Sequence, residues 1–229
     1  MNRLIRLFGT TIGRKLVMAG TGLAMLGFVL VHMLGNLTLY QGADTLNGYA
    51  FWLKSNPLLW VARAGLLAVF AVHVVTAISL AIENRRARPA AYGRKERVAA
   101  TLASTYIVLS GLLLFAFIVF HLGHFTFGLV QPEYFDGVDG EGRHDVFGMV
   151  VGAFQNPWIA GVYVVSTLIL GFHLHHGVKS LVQTVGINHD SYNGLLGVVG
   201  QLAVVVIVVG NCSFPLLVLA GVVGGSGGN

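Results

Sequence analysis

Five long apolar stretches, separated by polar segments that contain turn residues, dominate the pattern of this chain. A helix of about 20 residues crosses the hydrocarbon core of a bilayer, and every stretch is at least that long. The pattern therefore predicts an all-α integral membrane protein, with residues 1–229 forming one transmembrane domain. Its five predicted spans cover about residues 16–40, 58–82, 98–130, 158–182 and 195–223. Among the separators, only 131–157 is predicted to have room for ordered structure.

Composition excludes a water-soluble fold and several classes of binding site. Hydrophobic residues make up 55% of the chain and charged residues 10%, against roughly 25% charged residues in soluble domains. The single cysteine, Cys212, rules out an intrachain disulfide, a Cys₄ zinc site and an all-Cys iron–sulfur cluster within this chain. There is no P-loop and no strand-linked G-x-G-x-x-G motif. Any cluster, nucleotide or flavin would thus be held by a partner, and nucleic-acid binding gains no support.

The distribution of positive charge predicts the orientation. Of the fourteen Lys and Arg residues, most fall before the first span, in 83–97 between the second and third spans, or at Lys179 near the end of the fourth. Cytoplasmic loops of bacterial membrane proteins carry such an excess. We therefore expect a multi-pass protein of the bacterial cytoplasmic membrane, with the N-terminus inside and the C-terminus outside. The apolar run after the basic N-terminus is too long for a signal peptide, so it predicts a retained first span.

Histidines are the main candidates for chemistry, because ionisable side chains within spans are costly and usually functional. Of the nine histidines, all but His144 and His189 lie in the first four predicted spans or at their ends. His32 and His121 are nine and ten residues before Gln41 and Gln131, so both should lie about 13 to 15 Å below the outer helix ends. His73 and His173 each precede the inner end of their span by ten residues, which places them about 15 Å above it.

Two pairs of histidines at two depths match the requirements of bis-histidine haem, which needs imidazoles from different helices on opposite sides of one iron. The pattern predicts two haems, one held by His32 and His121 and the other by His73 and His173. His124 and His176 follow two of these ligands by three residues, so either one could replace its neighbour. The alternative is a purely structural role, in which each histidine only hydrogen-bonds to another helix. His124, His175 and His176 fit that role or a haem-edge role, and His144 and His189 fit loop roles.

The chain resembles the five-helix, two-haem cytochrome b membrane anchor of succinate:quinone oxidoreductases and fumarate reductases over nearly its whole length. The matching segments are LVHMLGN at 30–36, His73, ENRRAR at 83–88, FHLGHF at 120–125, GFHLHHG at 171–177 and QTVG at 183–186. The resemblance implies that His73 and His173 hold the haem b nearer the cytoplasm and that His32 and His121 hold the outer haem b. It also implies a flavoprotein subunit and an iron–sulfur subunit on the cytoplasmic face. The expected reaction links succinate to a quinone, menaquinone in the two-haem type, as the membrane subunit of succinate dehydrogenase in respiratory complex II and the tricarboxylic acid cycle.

The position of the quinone site stays open at this level. A quinone needs an apolar slot near a haem edge and a hydrogen-bond donor for each carbonyl oxygen. Arg63 and Lys179 are alternatively assigned to haem propionates, and Asn36 to a helix cap. Candidate donors are Asn36, Tyr40, Arg63 and His124 on the outer side and His176, Ser180 and Gln183 on the inner side.

One departure from the family concerns protons. Some relatives carry a buried glutamate beside the inner haem, whereas this chain has Leu170 and Gly171 there. A carboxylate proton relay is therefore not expected, and electron transfer to an outer quinone site would separate charge.

The fifth span carries no histidine, but its glycines at 194, 197 and 200 predict close helix packing within the bundle or against another protomer, as a higher oligomer. Inner-face arginines are expected to meet the iron–sulfur partner or anionic lipid.

Two rival functions remain at the sequence level. A quinol-oxidising cytochrome b of another type would place two ligands on each of two helices, a pattern that no helix here shows. A cofactor-free transporter could line its path with histidines, but it would need broken helices or cavity-lining charges. Pro215 is the only mid-span proline.

Overall fold

The computed structural model describes residues 9–86, 102–186 and 190–225. These residues form seven α-helices and no strand, which confirms the all-α prediction. We label them α1 (Thr11–Asn36), α2 (Ala43–Ser55), α3 (Leu58–Arg86), α4 (Leu102–Phe125), α5 (Val146–Phe154), α6 (Pro157–Val185) and α7 (Asp190–Leu219). The basic residues Arg3, Arg6, Arg88, Arg94, Lys95 and Arg97, as well as His189, lie outside the described residues.

Five of these helices, α1, α3, α4, α6 and α7, are long and apolar enough to cross a membrane. Their large apolar side chains point outward in many places, as at Leu67, Phe172 and Val209, which are 67%, 70% and 62% exposed. Such an exposed apolar surface would be unfavourable in water and is favourable in contact with lipid. The fold therefore fits a multi-pass membrane protein.

The described helices correct the predicted boundaries. The third span was expected to reach Val130, but α4 ends at Phe125. The chain turns there because Gly128 adopts a positive φ of 63°, Gln131 a positive φ of 50°, and Pro132 follows. Residues 98–101 of that predicted span lie outside the described residues.

Two short helices lie in segments that the apolar pattern treated as separators. The segment 41–57 was expected to be a turn region, yet it contains the 13-residue helix α2. Helix α2 is too short to cross a bilayer, and Asp44, Asn47 and Lys54 interrupt its apolar positions, so the pattern of long apolar stretches does not reveal it. Helix α5 occupies part of 131–157, the separator predicted to have room for ordered structure.

Local sequence explains how α6 is delimited. The Asn156 side chain accepts hydrogen bonds from the backbone N–H groups of Trp158 and Ile159, and Pro157 occupies the first helical position. Both features are typical of helix starts. Gly186 ends the helix in the left-handed region, with a φ of 75°, a conformation that glycine adopts without steric cost. The histidines of α6 therefore lie on one continuous helix with defined ends.

Helix α6 is the centre of the bundle, since α1, α4 and α7 all pack against it while α3 packs against α1. The predicted close approach of the last span holds at Gly200, where an added Cβ would lie 2.5 Å from Val178 of α6. Gly194 and Gly197 have no neighbour within 4 Å of such an atom. Helix α7 therefore closes the bundle against α6, through one of the three glycines.

A compact structure, which we call the cap and define as α2, the loop 137–145 and α5, covers the end of the bundle nearest His32. Asn47 of α2 is 1% exposed; its amide donates to Asp139 and Asp145 and its carbonyl oxygen accepts from the Phe147 N–H. Arg143 binds Asp44, Asp139 and Glu141 with N–O distances of 2.8, 2.8 and 3.1 Å. The bundle core just beneath contains Met33, Leu39, Phe154, Tyr163 and Phe214. Among the described residues, the buried hydrophobic cluster thus lies at this end of the molecule.

Candidate functional site: two histidine pairs

The structure brings the four principal histidines together in two pairs. The ring centres of His32 on α1 and His121 on α4 lie 6.0 Å apart, with an interplanar angle of 85°. Those of His73 on α3 and His173 on α6 lie 6.5 Å apart, with an angle of 64°. Each pair thus joins side chains from two different helices of the bundle.

The expected depth is wrong for His121, although the levels match. His121 lies four residues from the end of α4 at Phe125, which is about 6 Å rather than the expected 13 to 15 Å. For His32 the expected span end holds, because α1 is followed directly by a 3₁₀-helix over Leu37–Gln41. The two side chains share one level, since their ring centres lie 6.0 Å apart.

The two pairs are well separated along the bundle. Ser110, which contacts the ring of His173, precedes His121 by eleven residues on α4, and Thr21, which contacts the ring of His73, precedes His32 by eleven residues on α1. Eleven residues of helix rise about 16 Å. The same spacing on two helices indicates that the two levels are about 16 Å apart.

In the His73–His173 pair, both rings are hydrogen-bonded through Nδ1. Thr21 Oγ1 of α1 lies 3.0 Å from Nδ1 of His73. Ser110 Oγ of α4 lies 3.1 Å from Nδ1 of His173. A hydroxyl group from another helix therefore fixes the orientation of each ring, and the opposite ring nitrogen, Nε2, remains available for a ligand.

The His32–His121 pair has a different environment. Nε2 of His32 lies 3.3 Å from the amide nitrogen of Asn36, which donates to it. The hydroxyl of Tyr163 on α6 is shared, at 3.4 Å from Nδ1 of His121 and 3.0 Å from Nδ1 of His124. Rings of Phe117, Phe125 and Phe154 surround Tyr163, with centres 4.9 to 5.6 Å from its own. Aromatic packing thus holds the tyrosine between the two α4 histidines.

Exposure separates the paired histidines from their neighbour His124. His124 is 2% exposed, stacks on Phe125 with ring centres 4.1 Å apart, and is bonded to Tyr163. His73, His121 and His173 are only half-buried, and His32 is exposed, although all four lie within apolar helices. The protein leaves part of each paired ring uncovered, whereas it encloses His124. The geometry therefore favours His121 over His124 as a ligand.

The separation within each pair fits a metal ion bound between two imidazoles. Two rings bound through nitrogen on opposite sides of one ion, with bonds of about 2 Å, have centres about 6 Å apart. The observed values of 6.0 and 6.5 Å agree with that distance. In the described ranges there is no cluster of three or more His, Cys, Asp or Glu side chains able to hold a metal ion. Two imidazoles are one of the ligand sets that could hold a haem iron.

Each candidate for a haem propionate or a quinone has its own surroundings in the structure. The hydroxyl of Tyr40 bonds Ser213 Oγ of α7 at 2.6 Å. The Asn36 side chain makes no helix cap, contrary to the alternative assignment, and contacts His32 instead. The exposed guanidinium of Arg63 lies 5.1 Å from the ring centre of Trp60. At the other end of α6, Lys179, Ser180 and Gln183 are exposed and His176 is half-buried.

Sequence reasoning missed an ion pair at the end of the bundle opposite the cap. Arg14 of α1 binds Glu83 of α3 at 2.7 Å, and Thr11 Oγ1 donates to the same carboxylate at 3.0 Å. A cavity of about 460 Å³ adjoins the pair and is lined by Arg14, Ser79, Ile82, Glu83 and Arg86. The cavity therefore presents hydrogen-bond donors and a carboxylate acceptor at the helix ends nearest the His73–His173 pair.

Thr21, Ser110 and Tyr163 are the other residues that the pattern of histidines did not reveal. A signal for the first two exists in the sequence, because Thr21-Gly22 and Ser110-Gly111 each precede a paired histidine by the same number of residues. Tyr163 carries no comparable signal, since a tyrosine in an apolar helix is ordinary.

Comparisons with known proteins add no relative: no family model, curated protein or solved structure matches this chain.

Proposed function

We propose that this chain is the membrane anchor and di-haem electron conduit of a succinate:menaquinone oxidoreductase. The observation that carries the proposal is the occurrence of two histidine pairs, with ring centres 6.0 and 6.5 Å apart, at two levels of one apolar bundle. In the proposal, His32 and His121 hold the outer haem b and His73 and His173 the inner one. A haem held by two imidazoles would supply one-electron transfer, because the protein ligands would leave no site on the iron for a substrate.

The remaining parts of the proposal rest on the resemblance in the histidine-containing motifs and on charge. The basic ends of α1 and α3 would face the cytoplasm, where a flavoprotein and an iron–sulfur protein would bind and deliver electrons from succinate. The cap would then face the outside. The chain's own residues bind and orient the cofactors, exclude water through the apolar helices, and leave the dicarboxylate chemistry to the partners.

Haem content is the first test. The chain is purified after expression with haem available, and a dithionite-reduced minus oxidised spectrum is combined with a pyridine haemochrome assay. The proposal predicts two low-spin haems b per chain. A haem-free chain that remains folded, as judged by far-ultraviolet circular dichroism, would refute the proposal and favour a histidine-lined transporter.

The succinate assignment needs a separate test, since other di-haem cytochromes would also show two haems. Succinate added to native membranes containing the chain should reduce the haems, and malonate, a competitive dicarboxylate, should prevent this. Membranes in which dithionite but not succinate reduces the haems would contradict the succinate assignment while leaving the di-haem assignment intact.

A further inference from the structure

We propose that Thr21 and Ser110 are positioning residues that hold His73 and His173 in the Nδ1–H tautomer, so that each ring presents its Nε2 lone pair to the metal. This inference rests on the proposed function for the identity of the ligand, but the tautomers themselves are a property of the protein. It assigns a role to two hydroxyl groups on α1 and α4, the two helices that carry the other histidine pair.

The direction of the hydrogen bonds follows from the second contact of each hydroxyl. Thr21 Oγ1 lies 2.8 Å from the carbonyl oxygen of Val17 and 3.1 Å from that of Met18. Ser110 Oγ lies 2.9 Å from the carbonyl oxygen of Ile107. A hydroxyl has one hydrogen to donate, and a backbone carbonyl can only accept.

Because the single hydrogen of each hydroxyl points to its own helix, its oxygen is left to accept from the histidine ring. The contacts at 3.0 and 3.1 Å are then Nδ1–H donations from His73 to Thr21 and from His173 to Ser110. A neutral imidazole carries one proton, so protonation at Nδ1 leaves the lone pair on Nε2. Metal-binding histidines are commonly fixed in this way by an oxygen at the other ring nitrogen.

The same arrangement occurs twice. Each hydroxyl residue is followed by a glycine, and an added Cβ at Gly22 or Gly111 would lie 3.5 Å from Cε1 of His73 or His173 respectively. Glycine at these positions places no Cβ against the Cε1 edge of each ring. A chance serine or threonine contact would not be expected to recur with the same ring atom, a backbone acceptor on its own helix and the same following residue.

The His32–His121 pair is held by different groups from those that contact His73 and His173. Its rings contact the amide of Asn36 and the shared hydroxyl of Tyr163, at 3.3 and 3.4 Å. Removing the hydroxyl of Thr21 or Ser110 should therefore affect the His73–His173 pair alone. An imidazole that donates from Nδ1 is more basic at Nε2 and stabilises the more highly charged metal, so loss of the bond should raise the midpoint potential of the inner haem.

The direct test reads the tautomers in the full chain without haem. Chain labelled with ¹⁵N- and ¹³C-histidine is placed in liposomes, and magic-angle-spinning NMR distinguishes Nδ1–H from Nε2–H rings. The variants His73→Gln and His173→Gln assign the signals by their disappearance. We expect Nδ1–H at both residues, a change at His73 only in Thr21→Val, and a change at His173 only in Ser110→Ala.

Conservative and control variants complete the design. Thr21→Ser and Ser110→Thr keep the hydroxyl and should restore the original tautomers. Thr184→Val removes a hydroxyl of α6 that, within the described residues, donates to the Ser180 carbonyl oxygen at 2.8 Å and to no histidine, and it should change neither ring. An Nε2–H signal from His73 or His173 in the unmodified chain, or unchanged tautomers in Thr21→Val and Ser110→Ala, would overturn the inference.

A redox titration of the haem-loaded chain separates this inference from the proposed function. The midpoint potential assigned to the inner haem should rise in Thr21→Val and return in Thr21→Ser, with the outer haem unchanged. A chain with two haems but Nε2–H rings at His73 and His173 would refute the positioning role alone. A chain with no haem would refute the proposed function, and the tautomer measurement would still decide the role of the hydroxyls.

Discussion

The pairing of the four histidines makes a quantitative prediction about haem content. Partners within a pair are 6.0 or 6.5 Å apart between ring centres, whereas the two levels are separated by about 16 Å of helix. With metal–nitrogen bonds of about 2 Å, no ion can be shared between levels. Each single His→Leu variant should therefore lose one of two haems, and the identity of the lost haem should depend only on the pair.

Double variants provide the decisive comparison. His32→Leu combined with His121→Leu removes two ligands of the same site, so one haem per chain should remain. His32→Leu combined with His73→Leu removes one ligand from each site, so none should remain. His144→Leu, a change in the cap, is the control and should retain two.

The same geometry sets the electrostatic interaction between the sites. A unit charge at about 16 Å contributes about 1 kcal/mol at an effective dielectric constant of about 20, which is equivalent to about 45 mV for one electron. Reduction of one haem should therefore lower the midpoint potential of the other by about this amount in the unmodified chain. This effect should vanish in the single variants.

The assay is a pyridine haemochrome measurement per chain with an optical redox titration. A haem retained in the His32/His73 double variant, or none retained in the His32/His121 double variant, would refute the pairing.

Three further predictions concern stability. Tyr163→Phe should lower the free energy of unfolding by about 1 to 3 kcal/mol, because buried His124 loses its partner; denaturant titration in detergent measures this, and an unchanged midpoint would contradict it. Asn47→Leu should lower the melting temperature of the cap, since its half-buried partners lose three hydrogen bonds, and a wild-type melting temperature would count against this reading. Burial opposes ionisation of Asp139, but the hydrogen bonds from Arg143 outweigh it and hold the carboxyl pKa below its ordinary value of 3.8. The stabilisation from this carboxylate is therefore present above pH 3.8 and is lost as the pH falls through the lower folded-state pKa. Hydrogen exchange of the cap amides, corrected for intrinsic rates, should rise only in that pH range. A rise near pH 5 would exclude Asp139 as the cause.

Much of the architecture was determined by the sequence itself, because a bilayer imposes simple rules. Backbone groups in hydrocarbon must be paired within the segment, so long apolar stretches become helices almost regardless of context. This is why the five membrane-length helices could be predicted. Helix α2 could not, since it is stabilised by contacts such as the buried amide of Asn47 rather than by a periodic apolar pattern.

The sequence also determined which histidines can share a level, because helical rise converts residue number into depth. It did not determine which ring nitrogen is available or which of two neighbouring histidines is enclosed. Those features depend on the rotation of each helix and on side chains from other helices. Tertiary packing alone placed Tyr163 against His124, and it alone brought Thr21 and Ser110 to the rings of His73 and His173. The four histidines of the two candidate sites thus lie on four helices that the sequence predicts. Contacts between those helices determine which ring nitrogen has its lone pair available.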